Sequence, residues 1–305
     1  MIMAFTAIVV TSIVLSWSSA YLAARSAPRH AVIVCTLASL IVASASSGIL
    51  AIAAWYGVAR LASVARLGEW SASLLGRRSP LPVAASSLAG LCLAYVAVAV
   101  AFLFVGHLVD LRRARRALPM TPASDPVVVL RQSEVDAFAL DGTRPNRRVV
   151  VTEGLLQELR DPQLLEAVLA HERAHLRHHH ILYRIIVRVS ATANPFLLPV
   201  VAVVEDAIEA WADDDAASTA GRCNVAAALS TVALARARAR TPRMALGVSG
   251  SGTVKRVERL LNPTAVSRTG LYVAAGASIT AAIAIVMCSI TTETFFEALR
   301  AASLR

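Results

Sequence analysis

Four stretches of the chain are almost free of charge, and between the third and fourth the apolar residues recur at short periods instead. Ile2 to Ala23, Ala31 to Val58, Leu81 to Val109 and Gly270 to Ile290 each approach or exceed the ~20 apolar residues that cross a hydrocarbon core as a helix. No basic residue precedes the first stretch, and Arg25 and Arg29 follow it. A cleaved leader would have a positive start and a shorter apolar core, so this segment reads as a retained helix. The Ala, Ser and Gly content of the second stretch allows close helix packing. Ala59 to Pro80 is a connecting loop carrying Arg60, Arg66, Arg77 and Arg78, with room for a short interfacial helix.

The region from Pro119 to about Arg268 is the water-facing part. Val127 to Leu130, Asp136 to Leu140 and Arg148 to Thr152 read as short strands, with Asp141-Gly142 and Pro145-Asn146 as turn signals between the last two. The run LLQEL after Gly154 is a short helix. Asp161 then caps, and Pro162 opens, an amphipathic helix with Leu164, Leu165, Val168, Leu169 and Leu176 at helical spacing. Ile181 to Val204 is long enough for a fifth span. Arg184 and Arg188 interrupt its first half on one helix face, however, and Asn194-Pro195 breaks it in the middle. An acidic helix from Glu205 and an Ala-rich one over Val225 to Ala239 follow. Gly247 to Gly252 reads as a flexible loop, and Lys255 to Leu261 as a short basic helix.

The predicted fold class is therefore a mainly α membrane protein, with about four transmembrane helices and a small α+β unit. Residues 1–110 hold three spans, 111–269 the water-facing unit with its apolar segment 181–204, 270–290 the last span and 291–305 a short tail. Composition agrees: 56% of residues are hydrophobic and only 16% charged. The formal net charge of +10 fits the orientation bias of membrane loops better than nucleic-acid binding, because the arginines flank the apolar spans. With the N-terminus outside, the inner flanks hold Arg25, Arg29, Arg112, Arg113, Arg115, Arg116, Lys255, Arg256, Arg259 and Arg268. The outer ones hold the four loop arginines, Arg300 and Arg305, so the water-facing unit is expected in the cytoplasm. Cys35, Cys92, Cys223 and Cys288 form no CxxC pair, which gives no support to a disulfide framework or a thiolate zinc site.

The amphipathic helix carries the chemistry. His171-Glu172-Arg173-Ala174-His175 is an HExxH pattern, and residues i and i+4 share a helix face, so both imidazoles can reach one Zn²⁺ at about 2.0–2.1 Å. Glu172 lies beside them as a candidate general base. A catalytic zinc needs a third protein ligand and an open position. Glu205, Glu209 and Asp213 follow one another at i,i+4 on the acidic helix, and spacing alone permits any of them. His178, His179 and His180 read as a solvated or interfacial run rather than a second metal site. Arg236, Arg238 and Arg240 spread around a helix as ordinary surface, and Trp17, Trp55 and Trp70 are expected at span ends.

The stretch VVVTEGLLQELRDPQLLEAVLAHERAH, then Asn194-Pro195, then EAWADDDA resembles the membrane gluzincin metallopeptidases. These include the HtpX-type and CAAX prenyl proteases and the BlaR/MecR-type antirepressor peptidases. The resemblance covers roughly Val127 to Ala216 and is nearest to the BlaR/MecR branch, without that branch's penicillin-binding sensor after the last span. It implies a zincin-like fold, Zn²⁺ as cofactor, and His171, His175 and Glu209 as the metal ligands. Asp213 would orient a ligand histidine and Glu172 would be the catalytic base. Because His175 and Glu209 must meet at one metal, residues 181–204 are expected to form a helical hairpin turning at Asn194-Pro195.

The expected activity is that of an integral plasma-membrane zinc metalloendopeptidase with its site at the cytoplasmic face. Its expected partners are a protein substrate, a transcriptional repressor in the nearest branch, and membrane lipid, without direct nucleic-acid binding. Two alternatives stand: a membrane-protein quality-control protease, and a non-catalytic transducer that keeps the fold. The intact HExxH and Glu-x-x-x-Asp weigh against the second. Arg148 to Thr152 is a candidate edge for an extended substrate, with ordinary sheet packing as the equal alternative. No residue is assigned as oxyanion donor.

Overall fold

The structure is a computed structural model that describes residues 2–117, 127–140, 147–239, 249–262 and 269–303. The expected turns at Asp141-Gly142 and Pro145-Asn146 lie outside the described residues. Among the described residues, four helices are long and apolar enough to cross a membrane: α1 (Ile2–Arg25), α2 (Pro28–Val58), α5 (Val83–Ala117) and α12 (Thr269–Ser303). Between α2 and α5 lie two short helices, α3 (Ala62–Leu67) and α4 (Ala72–Arg78), where one was expected. The last helix runs on through the residues read as a tail, as far as Ser303. Helix α2 packs against α1, α5 and α12, whereas α5 is covered on one side only, with Leu91, Tyr95 and Phe102 exposed. An exposed apolar face of that kind is what lipid covers in a spanning helix.

The strands β1 (Val127–Leu130), β2 (Ala137–Leu140) and β3 (Arg148–Thr152) form a mixed sheet in the order β1-β3-β2. β1 is parallel to β3 and β2 antiparallel to it, with Phe138 opposite Val150. β3 is therefore central and paired on both sides, which removes it as a candidate substrate edge; the sheet's edges are β1 and β2. Thr152 caps α6 (Glu153–Glu158), its hydroxyl accepting from Leu155 N at 3.3 Å and donating to Glu134 O at 2.6 Å. Gly154 is obligatory there, because a Cβ would stand 2.2 Å from the Ser133 carbonyl oxygen.

Helix α7 (Pro162–Arg177) starts where Asp161 accepts from Gln163 N at 2.9 Å. His179, left-handed at φ 53° and ψ 42°, ends it and turns the chain into α8 (His180–Ala193). A single 3-10 turn, Pro195–Leu197, then reverses the chain into α9 (Leu198–Ala220). Gly221, at φ 86°, lets the chain leave α9 for α10 (Arg222–Ala239). Helix α11 (Ser249–Leu261) begins inside the stretch read as a flexible loop, so Ser249 to Gly252 are helical.

The hairpin α8–α9 is built into the bundle of apolar helices. Val187, Leu197, Val200 and Ile208 share one buried core with Leu15, Val32 and Val42 of α1 and α2. At its tip Asn194 Nδ2 donates to Ser12 Oγ of α1 and Ser46 Oγ of α2, each at 2.8 Å, and Ser16 Oγ donates to Phe196 O at 2.5 Å. The polar groups freed by the helix break thus find partners within the protein, as irregular backbone beside apolar helices requires.

Candidate metal centre

The site forms where α7 and α9 cross. Ala174, Ala212 and Ala216 are fully buried, and these small side chains permit a close approach of the two helices. That approach sets Glu209 against both histidines. His171 Nε2 lies 3.2 Å from His175 Nε2 and 3.4 Å from Glu209 Oε2, and His175 Nε2 lies 3.7 Å from Glu209 Oε1. Donors bonded at 2.0–2.1 Å to a tetrahedral ion would be separated by about 3.3–3.4 Å. The distances to Glu209 run to its two different oxygens, and one donor atom from each residue lies within 4.8 Å of the others; two imidazole nitrogens and a carboxylate suit Zn²⁺ with a fourth position left open. Of the three acids that spacing allowed, Glu205 is turned away and paired with Arg188 at 2.6 Å.

Both imidazoles present Nε2 to the site and are held at Nδ1. For His171 the partner is Asp213, whose Oδ1 is 3.0 Å away and whose side chain is fully buried. Burial works against the charged form of His171, but Asp213 and Glu209 outweigh it and raise the imidazole to about 9. In return, despite burial, His171 and Arg256 hold Glu209 and Asp213 below the usual carboxylate range. For His175 the partner is His180, with the two Nδ1 atoms 2.8 Å apart. Burial and the cations around His175 and His180 lower them to about 4 and about 3, so both rings are neutral and one N–H proton lies between their Nδ1 atoms.

Three of these arrangements escaped sequence reasoning. His180 is buried against Trp211, not solvated with its neighbours; of the run, only His179 is exposed. Arg256, on the helix read as a basic flank, grips Asp213 with Nε and Nη2 at 2.8 and 2.7 Å and reaches Glu209 Oε2 at 3.1 Å. Arg184, from the interrupted apolar segment, places Nη2 2.6 Å from Glu209 Oε1. Asp214 and Asp215 pair with Arg259 and Arg177, and Arg236, expected as surface, stays half exposed in its pair with Asp136. Trp17 is exposed on α1, whereas Trp70, expected as an anchor at a span end, is buried against Phe296.

Glu172 borders a cavity of about 150 Å³ whose apolar walls include Val168, Val225, Leu229 and Val232. Burial pushes its carboxyl up to about 7, partly opposed by His171, and the Ala139 N–H of β2 donates to it. A carboxyl poised there can both take and return a proton near neutral pH. The outer edge of β2 runs beside this group, its Ala137 N–H accepted by Asp136 Oδ1 at 3.0 Å.

Residues 109–244 match the family described as Peptidase family M48, a stretch that contains the sheet and every candidate metal ligand. The match supports a metallopeptidase of that family, which is a peptide hydrolase. No curated protein and no solved structure matches the chain.

Proposed function

We propose that this chain, matched over residues 109–244 to the M48 peptidases, is an integral membrane zinc metalloendopeptidase that cleaves a regulatory protein at the cytoplasmic face. One observation carries the chemistry: donor atoms of His171, His175 and Glu209 converge within 4.8 Å of one another while Glu172 opens onto an apolar cavity at the same point. Zn²⁺ bound by those three side chains would polarise the scissile carbonyl and acidify a water. Asp213 and His180 hold the imidazoles so that their Nε2 lone pairs face the centre. Glu172 takes the proton of the attacking water as its oxygen adds to the carbonyl carbon. When the carbon–nitrogen bond breaks, Glu172 returns that proton to the departing amine.

The substrate enters as an extended segment. β2 lies at an edge of the sheet, where the substrate would take over the Ala137 and Ala139 N–H groups now held by Asp136 and Glu172, and the cavity beside Glu172 accepts an apolar side chain next to the cleaved bond. The BlaR/MecR resemblance of the metal-binding stretch supports a transcriptional repressor as that substrate, and the arginine flanks support the cytoplasmic side. Glu172→Gln tests both levels in one comparison. The variant should keep its fold and about one zinc per chain yet lose cleavage, because the base is gone and the ligands remain. In cells it should hold a small fixed set of genes silent while one uncleaved DNA-binding protein accumulates. Cleavage at the wild-type rate would end the hydrolytic reading. Unchanged transcription, with many membrane-protein fragments lost, would replace the repressor by quality-control substrates.

A further inference from the structure

Arg184 and Arg188 lie one turn apart on α8 and face Glu209 and Glu205, also one turn apart on the antiparallel α9. The two pairs are not equivalent. Arg188 closes on one oxygen of Glu205 with both Nε and Nη2, at 3.0 and 2.6 Å, away from the metal centre. Arg184 gives only Nη2 to Glu209 Oε1, and its Nε is buried without a hydrogen-bond partner. Glu209 has Arg256 on its other oxygen as well, so the carboxylate is shared between two guanidinium groups.

The two arginines at the centre differ in what remains available to them. Arg256 is committed to both oxygens of Asp213 and lines the cavity that holds Glu172. Arg184 is absent from that cavity wall and reaches the centre past Glu209 Oε1, the oxygen nearer His175. Its side chain is one-third exposed, at 34%, so it borders open space. A peptide carbonyl placed between Glu172 and Arg184 would have a base on one side and a guanidinium on the other. Hydrolysis needs that polarity. As water adds to the carbonyl carbon and its proton passes to Glu172, the carbon–oxygen π pair becomes a negative charge on the carbonyl oxygen. When the carbon–nitrogen bond breaks, the charge returns to the carbonyl and the proton goes to the amine.

We infer that Arg184 is a catalytic residue, the donor that stabilises the oxyanion of the peptide-bond hydrolysis, from its Nη2 contact with the metal-ligand candidate Glu209, its place outside the cavity lining that holds Glu172, and its unpartnered Nε. Arg suits this role because five donors in a rigid plane can keep one bond to Glu209 while offering others to a new oxygen. The inference rests on the peptidase reading above.

The test uses the full-length, zinc-loaded protein in detergent and its Arg184→Gln and Arg184→Lys variants. Three quantities are measured: zinc content, kcat and KM on a peptide that the wild type cleaves, and affinity for a phosphinic peptide with leucine side chains flanking the phosphinate. The phosphinate mimics the charged tetrahedral state, and its binding is read by calorimetry without turnover. For Arg184→Gln, zinc content should stay at one per chain and KM should change little. Its kcat should fall about 10²–10³-fold, the usual cost of one oxyanion donor. Phosphinic-peptide affinity should fall in proportion, and Arg184→Lys should recover part of both losses. Zinc loss that parallels the loss of activity would overturn the inference and make Arg184 a positioning residue for Glu209. Equal phosphinic-peptide affinity in wild type and Arg184→Gln would also overturn it. If the wild type cleaves no peptide, the peptidase reading fails, while the binding comparison still decides the role of Arg184.

Discussion

His179 adopts φ 53° and ψ 42°, and that one backbone conformation decides the roles of its neighbours. It costs a non-glycine residue about 1 kcal/mol or more, which the buried contacts that follow offset. By stopping α7 it exposes its own side chain and swings His180 inward, where the ring meets His175 and Trp211. His180 then fixes the His175 ring from behind, so His180→Ala should weaken zinc binding about 10–100-fold, the usual effect of removing such an outer partner. Competition against a chelator of known affinity measures this, with circular dichroism to show that the helices persist. Unchanged zinc affinity would mean that packing against Trp211 alone orients the ring. At this scale the HExxH grouping is legible in the sequence because one helix period fixes it. Glu209 is not, since spacing allows three acids; Arg188 holding Glu205 and His171 facing Asp213 leave Glu209 at the centre. His180 stays hidden because nothing in a run of three histidines marks the middle one as left-handed.

Among the elements, the hairpin joins the catalytic chemistry to the bundle of apolar helices. One end of α8 bears His180 and Arg184 and one end of α9 leads to Glu209 and Asp213, while the tip between them is bonded to α1 and α2. Asn194→Ala removes two interhelical hydrogen bonds from a residue only 4% exposed. It should destabilise the protein by about 1–2 kcal/mol, given the modest worth of such bonds among apolar helices. Thermal unfolding in detergent would show a lower midpoint for apo and zinc-loaded protein alike; an unchanged midpoint would show that apolar packing alone holds the tip. The hairpin is legible in the sequence because two residues of one metal centre cannot sit at opposite ends of a spanning helix. Its partners are not legible, since serines on α1 and α2 look like ordinary small residues of a close-packed span. β3 as the central strand is equally hidden, because an all-apolar VVV run suits an edge or a centre. Arg256 and Arg259 read as cations flanking a membrane, yet a spacing of three on α11 brings them onto Asp213 and Asp214.

Across the whole molecule, the positions of the helix ends make orientation a single measurable property. Arg29, at the start of α2, lies with Cζ 5.9 Å from the Trp211 ring beside the metal centre. Trp55, near the other end of that 31-residue helix, lies 6.3 Å from Phe296 of α12, and Ser71 N is 2.8 Å from Ser303 Oγ. At 1.5 Å per residue α2 is about 46 Å long, enough to separate the two ends by a full bilayer. The proposed orientation, with the metal end in the cytoplasm, rests on the arginine flanks, and pairing of Arg256 and Arg259 with carboxylates removes two charges from that face. Cys223 is an exposed natural reporter on α10 beside the metal centre, while Cys35 and Cys288 are buried. Cys92 is exposed only on the apolar α5, where a charged maleimide finds no water. A membrane-impermeant maleimide added to intact cells should therefore leave Cys223 unmodified until lysis. In a Cys223→Ser background, Ser303→Cys should react before lysis. Reaction of both positions from one side would rule out four crossings. The reverse order would keep the crossings but turn the peptidase outward, and a cytoplasmic repressor could then no longer reach Glu172.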